Sequence, residues 1–121
     1  MKQQLERLSL LSLVVFTLIC SGCRSPFISV KIENHSGSAL QLLEMDYPSA
    51  SFGVDSLAAG AAYSYRFKVQ GAGPVSLTFT DATGHVHKVS GPSLDSGQQG
   101  TLTVLIGPAD KTTWQTHLSM Q

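Results

Sequence analysis

His85 and His87 stand two residues apart in a run, His85-Val86-His87-Lys88-Val89-Ser90, that alternates as a strand does. Both rings then project from one face, at a spacing able to hold Zn or Cu. Two ligands do not make a site, and a third, from Met45, Met120, His117 or Asp81, has to come through folding. The strand pairing decides what the histidines face. If Thr80 pairs with His85 across a four-residue loop, Phe79 meets Val86 and both histidines share the exposed face of Thr78 and Thr80, whereas a three-residue loop sets His87 opposite Phe79. Without a third ligand the pair is simply two solvent-facing polar residues. His35, in a turn, and His117, near the end of the chain, read as surface polar residues.

Nucleophilic catalysis needs a nucleophile, a base and an orienting group in contact. Ser, His and Asp are all present, but without the spacings that signal such a site: there is no G-x-S-x-G, no H-E-x-x-H and no glycine-rich phosphate loop. Gly91-Pro92-Ser93-Leu94-Asp95 sets a serine near an aspartate, in residue types that any connecting loop uses. Glu44 and Asp46 share one strand face, as paired glycosidase carboxylates do, and an exposed strand edge accounts for them more simply. Tyr47-Pro48-Ser49-Ala50-Ser51-Phe52-Gly53 combines two aromatics with small residues, which makes Tyr47 and Phe52 candidates for a partner-contact loop. The competing reading folds both rings back over the open end of the core.

The elements that must position these residues follow from composition and periodicity. Of 121 residues, 13% are charged and 42% hydrophobic, which excludes a disordered charged tail and a coiled coil. Residues 1–22 read as an export signal. Lys2 and Arg7 flank Glu6, and Leu8 to Ile19 are twelve mostly apolar residues. At about 1.5 Å per residue these fall well short of a hydrocarbon core of roughly 30 Å, so the segment suits a cleaved helical signal better than a membrane span. The remaining 99 residues, one domain's worth, carry six Lys and Arg against seven Asp and Glu, and this gives nucleic acid no basic surface to bind.

Ser21-Gly22-Cys23 resembles the lipobox of bacterial lipoprotein signals, which sets small residues at the two positions before a cysteine. At the third position back, where the pattern prefers Leu, this chain has Cys20. The resemblance implies cleavage after Ser21 and Gly22 and diacylglyceryl transfer to the Cys23 sulfur, with a further acyl chain often added to the new amino group. Two or more chains make a lasting anchor where one is marginal. It also implies a lipidated tether over residues 23–26 and a bacterial envelope location, the outer membrane where there are two, because Arg24 rather than Asp follows the cysteine. Cleavage would remove Cys20 and leave no pair for an internal disulfide.

Residues 27–121 read as strands. Ile28, Val30 and Ile32 alternate with Ser29, Lys31 and Glu33, and Asn34 to Gly37 is turn chemistry. From Leu40 to Tyr47 the alternation slips, and a bulge near Leu42 reconciles it. A short edge strand is expected over 51–54. Further strands are expected around Tyr63 to Val69, Val75 to Thr80, His85 to Ser90 and Leu102 to Ile106, and an edge strand through Trp114 to Met120. Residues 91–100 read as a longer connection anchored by Leu94. Seven or eight short strands in one domain predict an all-β antiparallel sandwich. Leu57-Ala58-Ala59-Gly60-Ala61-Ala62-Tyr63 resembles the tyrosine corner of fibronectin type III and immunoglobulin-like modules, with Ala59 where that family usually has Pro. On that resemblance the sandwich is expected to be immunoglobulin-like. The sequence as a whole predicts a lipid-anchored envelope protein whose sandwich is a binding or structural module, partnered by the membrane through Cys23 and by another envelope protein or a glycan, with no cofactor. An extracytoplasmic Cu/Zn-binding protein using His85 and His87 is the alternative, and a small envelope hydrolase the third reading.

Overall fold

Strict alternation in Ile28-Ser29-Val30-Lys31-Ile32 sends one set of side chains inward and the other to solvent, and the same period runs through the later halves of β5 and β7. The computed structural model describes residues 26–120; the signal segment and Cys23 lie outside them. Eight strands form, β1 (Ile28–Asn34), β2 (Leu40–Tyr47), β3 (Ala50–Leu57), β4 (Ala62–Phe67), β5 (Gly73–Thr80), β6 (Val86–Leu94), β7 (Gln98–Ile106) and β8 (Thr112–Met120). They make two four-stranded sheets, β4-β1-β7-β8 and β3-β2-β5-β6. The result is an all-β sandwich that shares the two-layer build of immunoglobulin-like modules, with a strand order of its own. β1 and β2 lie in opposite sheets, and β1 pairs in parallel with β7 while the other neighbours pair antiparallel.

The inward residues of the two sheets meet in one core. Ile28, Val30, Ile32, Leu102, Val104 and Ile106 come from the first sheet, and Leu40, Leu43, Met45, Val75, Leu77 and Phe79 from the second. Fully burying side chains of this size contributes about 1.5–3 kcal/mol each. β2 carries the bulge its sequence demands: the register against β5 shifts between Gln41 and Glu44, and Leu42 takes φ 50°. The extra residue lets Leu40 and Leu43 both face inward and turns Leu42 out, 67% exposed.

Three expectations need correction. The edge strand at 51–54 runs the whole of Ala50–Leu57. The connection expected over 91–100 is mostly strand: β6 continues to Leu94, a turn at Asp95–Gly97 crosses to the other sheet, and β7 starts at Gln98. A register shift between Pro74 and Ser76 opposite β6 breaks the alternation there and hides the strand. Glu44 and Asp46 lie on an inner strand, because β2 is flanked by β3 and β5, so no strand edge accounts for them.

Because the neighbours pair antiparallel and β1 runs with β7, the connections divide between two poles. The β1–β2 turn, the 58–61 corner, the β5–β6 loop and the β7–β8 turn gather at one pole. The start of β1 pairs with Phe67 and Gly100 at the other. Asn34, fully buried, ties the first pole together. Its Nδ2 donates to the carbonyls of Ser38 (2.8 Å), Leu57 (2.9 Å) and Ala58 (3.2 Å), and its Oδ1 accepts from Ser36 N (3.1 Å) and Ser36 Oγ (2.6 Å). Its backbone exchanges hydrogen bonds with Gly60 (2.8 Å) and Ala61 (2.9 Å). The corner that resembles a tyrosine corner does pass between sheets, and its carbonyls are held by Asn34.

Candidate functional site

The β5–β6 loop begins at Asp81, whose short side chain folds back on its own loop. Oδ1 accepts from Thr83 N (2.9 Å), Thr83 Oγ1 (2.6 Å) and His85 N (3.0 Å), an Asx-type turn. Asp81 N donates to His85 O at 2.9 Å, which closes a three-residue tip over 82–84. That tip sets the register: Thr80 pairs with Val86, and Phe79 with His87. Of the two pairings open in the sequence, the one placing His87 opposite Phe79 is the one adopted. The His87 ring stacks on Phe79, centroids 5.0 Å apart and planes 14° from parallel.

Held this way, His87 Nε2 meets Asp81 Oδ2 at 2.7 Å and lies 3.7 Å from Asp110 Oδ2. Asp110 comes from the β7–β8 turn of the other sheet, where Ala109 and Asp110 both adopt left-handed backbone, φ 58° and 59°. For residues other than Gly that conformation costs about 1–2 kcal/mol each. The hydrogen bond from His87, then that from Thr83, holds the Asp81 carboxyl well below the usual carboxylate range. One ligand atom from each of Asp81, His87 and Asp110 falls within 4.8 Å of the others. Among the described residues, no Lys or Arg makes an ion pair with either carboxylate. Asp81 and Asp110 also line a cavity of about 170 Å³ together with Ser36 and Ser38 of the β1–β2 turn.

The fold therefore groups His87 with two carboxylates. His85 is no part of that group: it sits in the loop, exposed, its Nδ1 at 2.7 Å from Thr83 Oγ1. Of the four third ligands considered from sequence, Asp81 is the one that arrives. Asp110 was visible there only as one charge among seven. His35 lies beside Glu33 on the surface, and His117 is exposed on β8.

The aromatic segment takes the other course expected for it. Phe52 is 8% exposed and stacks on Tyr65 at 4.1 Å, and Tyr47 stacks on Phe67 at 4.0 Å. Both rings sit on paired strands over the core edge. Phe52 is thus unavailable as a contact residue, and Tyr47 is half-buried, its hydroxyl pushed up by burial and by Tyr65. A shallow groove of about 730 Å³ crosses the outer face of the first sheet, lined by Ser29, Arg66, Gln99, Thr101 and Ser119, with the Arg66 guanidinium 4.1 Å over the Phe27 ring.

No family model matches the chain, and no curated protein matches it. Among solved structures it is similar to a protein from Eubacterium rectale determined by NMR, at 9% identity and a TM-score of 0.54, over 74% of this chain and 86% of that one. At that identity the likeness extends to the fold alone.

Proposed function

We propose that the chain is a lipid-anchored protein of a bacterial cell envelope whose β-sandwich acts as a binding or structural module without catalysis. The observation that carries this reading is Ser21-Gly22-Cys23, placed directly after twelve mostly apolar residues and Cys20. Two further features support it. The first strand begins at Ile28, five residues beyond Cys23, so a lipid on that sulfur would hold the domain within about 18 Å of the bilayer. Residues 26–120 contain no cysteine, so the sandwich is indifferent to an oxidising compartment. The groove under Ser29, Thr101 and Arg66 offers hydroxyls and one guanidinium to a glycan or an envelope protein.

The test is mass spectrometry of protein from the membrane fraction, with Cys23→Ser beside the wild type. The expected result is a diacylglyceryl-modified Cys23 at the first residue of the wild type, and a Cys23→Ser chain that is neither cleaved before residue 23 nor lipidated. Unmodified Cys23 in the soluble fraction would overturn the anchor.

A further inference from the structure

We propose that Asp81, His87 and Asp110 form a site for one divalent transition-metal ion of zinc-like character, delivered by hairpin connections from the two opposite sheets. The site is independent of the lipid anchor. The donor set is one imidazole nitrogen and two carboxylate oxygens. This suits a borderline ion such as Zn²⁺ and lacks both the thiolates that Cu⁺ prefers and the six or more oxygens that Ca²⁺ takes.

Distances fit the assignment. Ligand atoms bonded at about 2.0–2.1 Å to a tetrahedral ion lie roughly 3.3 Å apart. The separations from His87 Nε2 to Asp81 and Asp110, 2.7 and 3.7 Å, straddle that value. Movements of about 0.4–0.6 Å in side chains that are 12%, 33% and 23% exposed for Asp81, His87 and Asp110 reach it. The shell around the donors is also built. Three donors occupy Asp81 Oδ1 and leave Oδ2 facing His87, and Phe79 fixes the imidazole plane. Charge argues the same way. Two carboxylates with no Lys or Arg partner among the described residues balance an ion of charge +2, and ligation by His87 Nε2 releases to solvent the proton that this nitrogen shares with Asp81 in the metal-free site. Three protein ligands leave a coordination position for water or a small anion to complete the shell, and Asp81 and Asp110 share a cavity with Ser36 and Ser38 beside it.

The experiment is titration of the full chain carrying Cys20→Ser and Cys23→Ser, so that no thiol competes, in detergent, with ZnCl₂ by calorimetry and CoCl₂ by visible absorption. One equivalent of Zn²⁺ is expected to bind with micromolar or tighter affinity, and Co²⁺ to give visible bands without a thiolate charge-transfer band. His87→Ala should abolish uptake, Asp110→Asn should weaken it about tenfold or more, and His85→Ala should leave it unchanged. Asp110→Asn alters one turn side chain, so it decides the matter should His87→Ala fail to fold. Absence of saturable Zn²⁺ uptake by the cysteine-free chain, equal affinity in Asp110→Asn, or loss of binding in His85→Ala would each overturn the assignment.

Discussion

Replacing Asn34 tests whether one buried amide holds the site pole together. In Asn34→Ala the carbonyl of Leu57, buried with its partner, loses its donor and cannot reach water, at a cost of about 1–3 kcal/mol. The Ser38 and Ala58 carbonyls and the Ser36 donors are only partly buried, and together add about 1 kcal/mol once water replaces the amide. The total is about 2–4 kcal/mol, or a fall in Tm of about 10–25 °C for a domain of this size. Asn34→Asp is the sharper perturbation. It keeps the Oδ1 acceptor and shape but aims a carboxylate at three carbonyl oxygens. Burial and those dipoles raise its folded pKa above the unfolded value of about 3.9. Its stability relative to wild type is therefore highest below about pH 4 and falls as pH rises toward the folded pKa. Urea denaturation of wild type, Asn34→Ala and Asn34→Asp at pH 7 and pH 4 reads both effects. An Asn34→Ala loss under about 0.5 kcal/mol, the size of an ordinary surface change, would refute the argument. So would an Asn34→Asp variant no worse than alanine at pH 7.

Three other outcomes are expected. Leu42, exposed and at φ 50°, should tolerate Leu42→Gly within about 0.5–1 kcal/mol of wild type in either direction, while Leu43→Ala one residue on should cost about 2–5 kcal/mol, both read by urea titration. Gly100 takes φ 131°, and a Cβ there would meet the His117 carbonyl, so Gly100→Ala should lower Tm sharply, by calorimetry, where Gly84→Ala in an open loop lowers it modestly. In metal-free protein Asp81 has a folded pKa depressed below its ordinary 3.8, so the stability it contributes is present above that value and lost as pH falls below about 4. Acid denaturation should therefore show Asp81→Asn losing less than wild type over that range.

The strands were legible because one face of each sheet is buried and the other wet, which writes the period directly into β1, β5 and β7. The bulge at Leu42 was legible for the same reason, since leucines of opposite parity can both face the core only if one extra residue is inserted between them. What remained hidden was non-local. Asn34 looked like ordinary turn chemistry, because its partners Leu57 and Ala58 are more than twenty residues away. Asp110 carries no local signal: its place beside Asp81 depends on two hairpins from different sheets ending at the same pole. The histidine pair misled through its spacing, which assumed that both rings lay on the strand, whereas the Asp81 turn takes His85 into the loop.

The division of connections between two poles gives the molecule a direction. β1 leaves Ile28 at one end and delivers Asn34 at the other, across a strand of seven residues, a rise of about 20 Å. A chain moored through its N-terminal side would carry the Asp81, His87 and Asp110 triad on its outermost tip, beyond the reach of lipid headgroups. Ions would then arrive there from the aqueous space, and whatever docks on them would approach from the side facing away from the mooring.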